Sequence, residues 1–298
     1  MWKPVAALLL LAGIANAETV HSLDQVPRHL KTPEARENFR EQIVGKPAPD
    51  RLGTHLPAAL PAAAIARLLV PAGEQAAATV VGAKPWQPGL FVAIVCTGGA
   101  PPFDPKAPQC SRPEPGSKQQ PLHVYVGLID IKDGAPKLVA KSGPVDCAMT
   151  WNDSGLPRQP MAADDANGAP IAPDSIDRFD LAPYTIAPGQ TAFGLRGAWS
   201  ESYSGGGANY TGLCLFAAEG TKLKQVLAVP MSAYADIAGD WHKDGTRDHD
   251  ITNAGNVLLI SRHATHGHFD VTVKNRKGPW RRTFRWSPAA GAYRAAGN

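Results

Sequence analysis

Short apolar segments, separated by turn-forming residues, occupy the chain from about residue 76 to the C-terminus. Their residues are mainly β-branched or aromatic, and Gly, Pro, Asn and Asp lie between them. Because each segment is too short to favour a buried helix, the pattern predicts β-strands. The predicted strands cover residues 78–81, 90–96, 122–131, 137–141, 191–199, 210–217, 223–229, 257–261, 268–274 and 282–286, with a last extended segment at Tyr293.

Short turns join most neighbouring strands, so we expect antiparallel pairing. The segments that begin at Leu122 and Tyr210 share one plan, in which a strand, an acid–glycine turn and a second strand follow each other. Any meander of hairpins has this form, and so has a repeat architecture. We predict a mainly β fold: an antiparallel meander that forms a sandwich or an irregular propeller-like body, with a short N-terminal helical arm.

Helical signals lie before the strands. Thr32 is a suitable N-cap, Pro33 fits the first turn and Gly45 can end a helix, which predicts a helix over residues 33–44. An alanine-rich apolar stripe between prolines predicts a second, short helix over residues 60–69.

The first seventeen residues have the pattern of a secretory signal peptide. Lys3 precedes an apolar run that is too short to span a bilayer, and a small-x-small cleavage site ends at Ala17. The residue directly after that site is Glu18 and not a cysteine, so we expect no lipid anchor and no stable membrane insertion after signal cleavage. The predicted organisation is a signal peptide at residues 1–17, a helical and proline-rich arm at 18–75 and an antiparallel β domain at 76–298.

Four cysteines are present, and an exported chain is expected to oxidise them to two disulfides. Four cysteines allow three pairings. Cys96 ends an apolar run and Cys110 lies in the proline-rich excursion before the next strand, which favours a bond between them and leaves Cys147 for Cys214. The cysteines have no CxxC spacing, so their positions do not indicate a zinc site.

An aspartate-rich segment begins at Asp240 and continues through Asp244, Gly245 and Asp248. It resembles the calcium loops of FG-GAP or VCBS-type repeats, whose pattern is Asp-x-Asp-x-Asp-Gly-x-x-Asp. The resemblance covers about nine residues and departs from the pattern at His242, where the family has a carboxylate. Because calcium prefers oxygen ligands, the segment predicts a hairpin loop first and a calcium site second; contact with a partner also stays open.

Three histidines, His263, His266 and His268, lie within six residues. Alternation along an extended segment would place the last two on one face, where His242 or His249 could complete a zinc or copper site. A solvated hairpin tip at Gly267 explains the same residues. The sequence assigns no cofactor, and calcium and zinc are the candidates that we retain.

The glycine-rich segment between Trp199 and Tyr210 is our first choice for a binding loop. Its glycines allow close approach of a ligand, Tyr203 and the two flanking aromatics offer stacking surfaces, and Glu201 is the nearby acid. A mobile hairpin loop between two strands is the competing interpretation.

Charge and motifs narrow the functional classes. The formal net charge of +4 is weak and dispersed, so we expect no nucleic-acid partner. The nucleophile elbow, the zinc-protease motif, the P-loop and the dinucleotide fingerprint are all missing from the sequence. Two acid pairs, Asp164 with Asp165 and Asp177 with Asp180, lie in sequence rich in Pro and Gly that predicts loops.

These observations favour an exported bacterial binding protein, periplasmic or secreted, that recognises an envelope protein or a cell-wall ligand through its loops. An inhibitor or immunity protein acting on an envelope enzyme is one version. A hydrolase of cell-wall or glycan material is the first alternative, with Glu201 or Asp244 and one of the three clustered histidines as candidate residues. A divalent-metal-binding periplasmic protein is the second. No catalytic residue is assigned.

Overall fold

The computed structural model describes residues 22–30, 36, 39–40, 49–102 and 107–297. The chain divides into two compact units between Ala48 and Pro49. In the first unit, helix α1 spans Val26–His29. The predicted signal peptide and most of the predicted helix over residues 33–44 lie outside the described residues. The boundary at residue 75 stays a prediction, whereas the compact β-rich unit begins at Pro49.

The second unit is mainly β, which confirms the predicted fold class. Its helices are α2 (Ala62–Leu69), a 3-10 helix (Ala72–Ala77) and α3 (Met161–Asp165). Helix α2 confirms the second predicted helix. The strands are β1 (Ala78–Gln87), β2 (Leu90–Thr97), β3 (Cys110–Ser111), β4 (His123–Asp130), β5 (Lys137–Lys141), β6 (Ser175–Ala187), β7 (Gln190–Tyr203), β8 (Gly206–Glu219), β9 (Lys222–Trp241), β10 (Arg247–Thr265), β11 (His268–Asn275), β12 (Arg281–Ser287) and β13 (Ala292–Ala295).

The described strands form one hydrogen-bonded sheet. A first arm has the order β1-β2-β4-β5, and a second has the order β3-β6-β7-β8-β9. All of these pairings are antiparallel except a parallel contact between Lys141 and Lys222, which joins β5 to β9. Strand β10 pairs with β9 up to Gly255 and with β11 from Asn256, and β12 and β13 follow β11.

The two arms share the main core. Apolar side chains of β2 and β4 form one buried cluster with Phe193 of β7 and Phe216 of β8, and Trp86 of β1 contacts the Phe193 ring edge-on at 5.3 Å. Helix α2 packs on the other side of the first arm, and side chains of β11 and β13 pack on the other side of the second. The second arm is therefore covered on both faces.

Two disulfides lie in the main core. They join Cys96 to Cys110 and Cys147 to Cys214, the pairing that the sequence favoured, with Cα–Cα distances of 5.9 and 5.8 Å. Disulfides of this kind fit a protein of an oxidising compartment outside the cytosol. Among the described helices, none has the length and apolar character that a membrane span requires.

Two predicted loops need correction. Asp177 and Asp180 lie in strand β6, where the sequence indicated none. Their charges are matched there, because Arg196 of β7 binds Asp180 and Arg51 lies 3.6 Å from Asp177. Asp164 and Asp165 end helix α3.

The segment 200–209 was also predicted as a loop, but β7 and β8 pair throughout it up to Tyr203 and Gly206. Its glycines allow close strand contact: a Cβ on Gly206 would lie 2.1 Å from the carbonyl oxygen of Asp236 on β9. Glycine is required here for close approach rather than for a flexible loop.

Candidate functional site

A cleft of about 900 Å³ lies between residues 151–164 and the ends of strands β7, β8 and β9. Its lining combines aromatic, acidic and basic side chains. These side chains include Trp151, Asp153, Arg158, Asp164, Glu201, Tyr203, Tyr210 and Trp280. Three of the four residues predicted to bind, Glu201, Tyr203 and Tyr210, thus lie on one cleft.

One wall of the cleft is the segment 153–161, and side chains from the C-terminal part of the chain hold residues 153, 154 and 155. Trp280 donates its indole N–H to the Asp153 carboxylate at 3.0 Å. The amide of Asn256 donates to the Ser154 carbonyl at 2.8 Å, and that of Asn275 donates to the Gly155 carbonyl at 2.9 Å. These three hydrogen bonds hold the wall in one position.

Hydrogen bonds also hold the wall at Arg158 and Met161. Arg158 donates to the Thr252 hydroxyl at 3.1 Å and to the Asp250 carboxylate at 2.9 Å, both on β10. The Glu201 carboxylate accepts the backbone N–H of Met161 at 2.6 Å, where helix α3 begins. Glu201 therefore holds the wall against β7, and Arg158 ties the wall to β10.

The floor of the cleft is aromatic. Trp151 is buried and contacts Trp199 and Tyr210 edge-on, with ring centroids 5.1 and 5.6 Å apart. Trp199 donates its indole N–H to the carbonyl of Ala172 and lies beneath the cleft rather than on its lining. The indole N–H of Trp151, in contrast, has no hydrogen-bond partner among the described residues.

Two tyrosines give the cleft different chemistry. Burial, with the charge of Glu201 nearby, raises the pKa of Tyr210 to about 12, so its phenol stays protonated at neutral pH. Tyr203 is partly exposed at the mouth of the cleft and offers its ring to a ligand. The arrangement suits binding through stacking and hydrogen bonds.

Sequence reasoning missed Trp151, Arg158 and Trp280. The signal for Trp151 was present in the cysteine pairing, because it follows Cys147 by four residues as Tyr210 precedes Cys214 by four. A disulfide between an incoming segment and an antiparallel strand brings such positions together. Arg158 and Trp280 reach the cleft only through long-range contacts.

The aspartate-rich segment forms the hairpin between β9 and β10. His242 and Asp248 pair at 2.8 Å, and both are exposed. Asp244 accepts the hydroxyl and the backbone N–H of Thr246, which lower the pKa of its carboxyl group. Asp240 lies near the end of β9.

The clustered histidines lie at the hairpin between β10 and β11. His263 donates to the buried carboxylate of Asp270 at 2.8 Å. His266 occupies the turn with a φ of 50°, and His268 stacks on Trp286 with ring centroids 3.7 Å apart. Within the described ranges, no three His, Cys, Asp or Glu side chains approach closely enough to hold a metal ion. The calcium and zinc hypotheses stay predictions from sequence.

A further polar cluster, which the sequence did not indicate, surrounds Glu74. One carboxylate oxygen accepts from His123 at 2.9 Å, from the Tyr125 hydroxyl at 2.8 Å and from Thr97 at 3.2 Å. These bonds lower the pKa of Glu74, and burial next to this carboxylate raises that of Tyr125 to about 12. The cluster fastens the 3-10 helix to β2 and β4.

The hydrolase alternative required its acid and its histidine to meet in one cleft. None of the three clustered histidines lines the cleft that contains Glu201.

Comparison with protein-family models, with curated proteins and with solved structures finds no match to this chain.

Proposed function

We propose that this chain is an exported bacterial binding protein of the periplasm or the extracellular medium, and that its binding site is the cleft between residues 151–164 and strands β7 to β9. The observation that carries the proposal is that hydrogen bonds from other parts of the chain hold the cleft wall. Hydrogen bonds from five side chains hold it in place: those of Glu201, Asn256, Asn275, Trp280 and Arg158. A site held in this way loses little conformational entropy on binding.

The chemistry of the cleft supports recognition of an envelope protein or a cell-wall ligand. Tyr203 and Trp280 offer aromatic surfaces, and Arg158, Asp164 and Glu201 offer charged hydrogen-bonding groups. An inhibitor or immunity protein acting on an envelope enzyme is one version of this function. The signal-like N-terminus and the two disulfides support export.

The proposal is tested by position-specific photocrosslinking in cells of the native host. A photoreactive amino acid replaces Tyr203 at the mouth of the cleft, and a control chain carries it at Lys137 on the distant β4–β5 hairpin. We expect one adduct that forms from position 203 and is absent from position 137. Identical adducts from both positions, or none from position 203, would contradict the proposal.

Export has a separate measurement. The mass of the protein isolated from the periplasm or the medium should correspond to a chain that begins at Glu18. A full-length chain found only in the cytosol would refute this part of the proposal.

A further inference from the structure

The cleft lies in the acidic part of a basic molecule. The β9–β10 hairpin, residues 236–250, holds five aspartates against one lysine and one arginine. Residues 150–165 hold three aspartates against one arginine, and residues 199–210 add Glu201. These three segments therefore carry a net charge of about −6, with histidine neutral, in a chain whose formal net charge is +4. Residues 276–282 add four basic side chains beside Asp153 and Gly255, so the unbalanced negative charge lies on the β9–β10 hairpin. This hairpin favours a basic partner.

One strand of this region has an unpaired edge. Between Arg247 and Gly255, β10 pairs with β9 on one side. On the other side the carbonyl of Gly255 accepts the backbone N–H of Arg276, and pairing with β11 follows from Asn256, so the open edge ends at Ala254. In the described part of the chain, no strand pairs with the outer edge of this stretch. A strand edge with open backbone N–H and C=O groups can accept an added strand from a partner.

The side chains along this edge alternate in chemistry. Asp248 and Asp250 lie on one face of the strand, and Ile251 lies on the other. Arg158 of the cleft wall binds Asp250, so the acidic face adjoins the cleft. Ile251 is exposed. Tyr234 of β9, two residues before the pairing partner of Ile251, is exposed as well. The face of Ile251 also carries His249, which binds Asp236 of β9 at 2.5 Å. The edge thus offers carboxylates to one face of an added strand and one exposed apolar side chain, Ile251, to the other.

We propose that the outer edge of β10, from Asp248 to Asn253, binds an extended segment of a partner protein in which basic and apolar residues alternate. The inference rests on the proposed binding function and gives the chemistry of its partner. The added strand's backbone pairs with β10, its basic side chains meet Asp248 and Asp250, and its apolar side chains meet Ile251. A second copy of this chain is disfavoured, because antiparallel pairing of two such edges brings aspartates together.

The test uses a fluorescein-labelled ten-residue peptide of alternating lysine and valine, with a glutamate–valine peptide as its charge control. Fluorescence anisotropy at low salt should show binding of the lysine peptide alone. Asp248→Lys should weaken this binding at least tenfold. Asp133→Lys is the matched control, because Asp133 is exposed to a similar extent, 72% against 65% for Asp248, and lies on the distant β4–β5 hairpin.

Backbone N-methylation separates strand addition from attraction of charges. Methyl groups on alternate residues block one edge of the peptide, so one of the two alternating patterns should abolish binding. Equal binding of both methylated peptides, equal binding of the glutamate peptide, or no effect of Asp248→Lys would overturn the inference. Dimerisation that Asp248→Lys changes, measured by sedimentation, would assign the edge to a second copy and overturn it too.

The two proposals fail separately. If the lysine peptide does not bind but the position 203 adduct persists, the partner chemistry is wrong and the cleft remains a binding site. If both experiments fail, the binding function itself is wrong.

Discussion

At the scale of single residues, Gly155 is the position where the cleft wall tolerates least change. Its φ of +72° is unfavourable for other residues, and a Cβ there would lie 2.2 Å from the indole ring of Trp280. We expect Gly155→Ala to lower the free energy of unfolding by about 2 kcal/mol, from backbone strain and displacement of the ring.

The measurement is urea unfolding, with Gly143→Ala as the control. Gly143 has no atom within 4 Å of its added Cβ and no positive φ, so its substitution should change stability by less than about 0.5 kcal/mol. A similar effect of both substitutions would show that Trp280 does not pack on Gly155.

Two histidine–aspartate pairs test how burial changes the contribution of one hydrogen-bonded contact to the free energy of unfolding. His263 meets Asp270 at 2.8 Å, and His242 meets Asp248 at the same distance, but the aspartate side chains are 5% and 65% exposed. Among the described residues, His263→Ala leaves the buried carboxylate of Asp270 with Arg285, at 3.6 Å, as its ion-pair partner. We expect a loss of about 2 kcal/mol for His263→Ala and less than about 1 kcal/mol for His242→Ala.

Chemical unfolding of both variants at neutral pH checks this difference. Equal losses would mean that solvent reaches Asp270 as freely as it reaches Asp248.

At the scale of elements, the two disulfides constrain segments of different length. Cys147 and Cys214 are 67 residues apart, and Cys96 and Cys110 are 14 apart. In the chain-entropy model, replacing the first pair with alanine should cost about 4 kcal/mol, and replacing the second about 3 kcal/mol. Unfolding curves of the two double variants measure this order. A larger loss from the Cys96–Cys110 pair would show that local packing, rather than unfolded-chain entropy, decides the effect.

Most strands of the fold could be predicted because their apolar residues are contiguous, as in β2 and β4. Strand β6 could not be predicted, because its Pro183, Asp177 and Asp180 are typical of a loop. The arginines that bind these two aspartates lie on other segments of the chain. Strands β7, β8 and β9 were predicted too short for a related reason: apolar residues near their ends pack on the segment that carries Trp151, which is distant from them in the sequence. Three cleft residues were identified from local sequence, whereas the wall that faces them depends on contacts across about a hundred residues, such as Asn256 with Ser154.

At the scale of the whole molecule, the acid limit of stability should depend on Asp50, at the start of the β-rich unit. Its carboxylate accepts the backbone N–H groups of Thr54 at 2.7 Å and His55 at 2.8 Å, and the His55 ring at 2.8 Å. Burial raises its pKa, but these hydrogen bonds outweigh burial and lower the pKa from 3.8 to about 2.

Because the folded pKa is the lower one, the unfolded chain takes up this proton first as the pH falls. The contribution of Asp50, on the order of 1 kcal/mol, is complete above about pH 4 and is lost as the pH falls through about 2. Asp50→Asn removes this dependence, so the free energies of unfolding of the two proteins should differ at pH 6 and converge towards pH 2. Urea unfolding at a series of pH values measures the difference, and Lys132→Ala, which leaves this turn intact, is the control. A difference that stays constant from pH 6 to pH 2 would show that the hydrogen bonds of Asp50 do not depend on its charge.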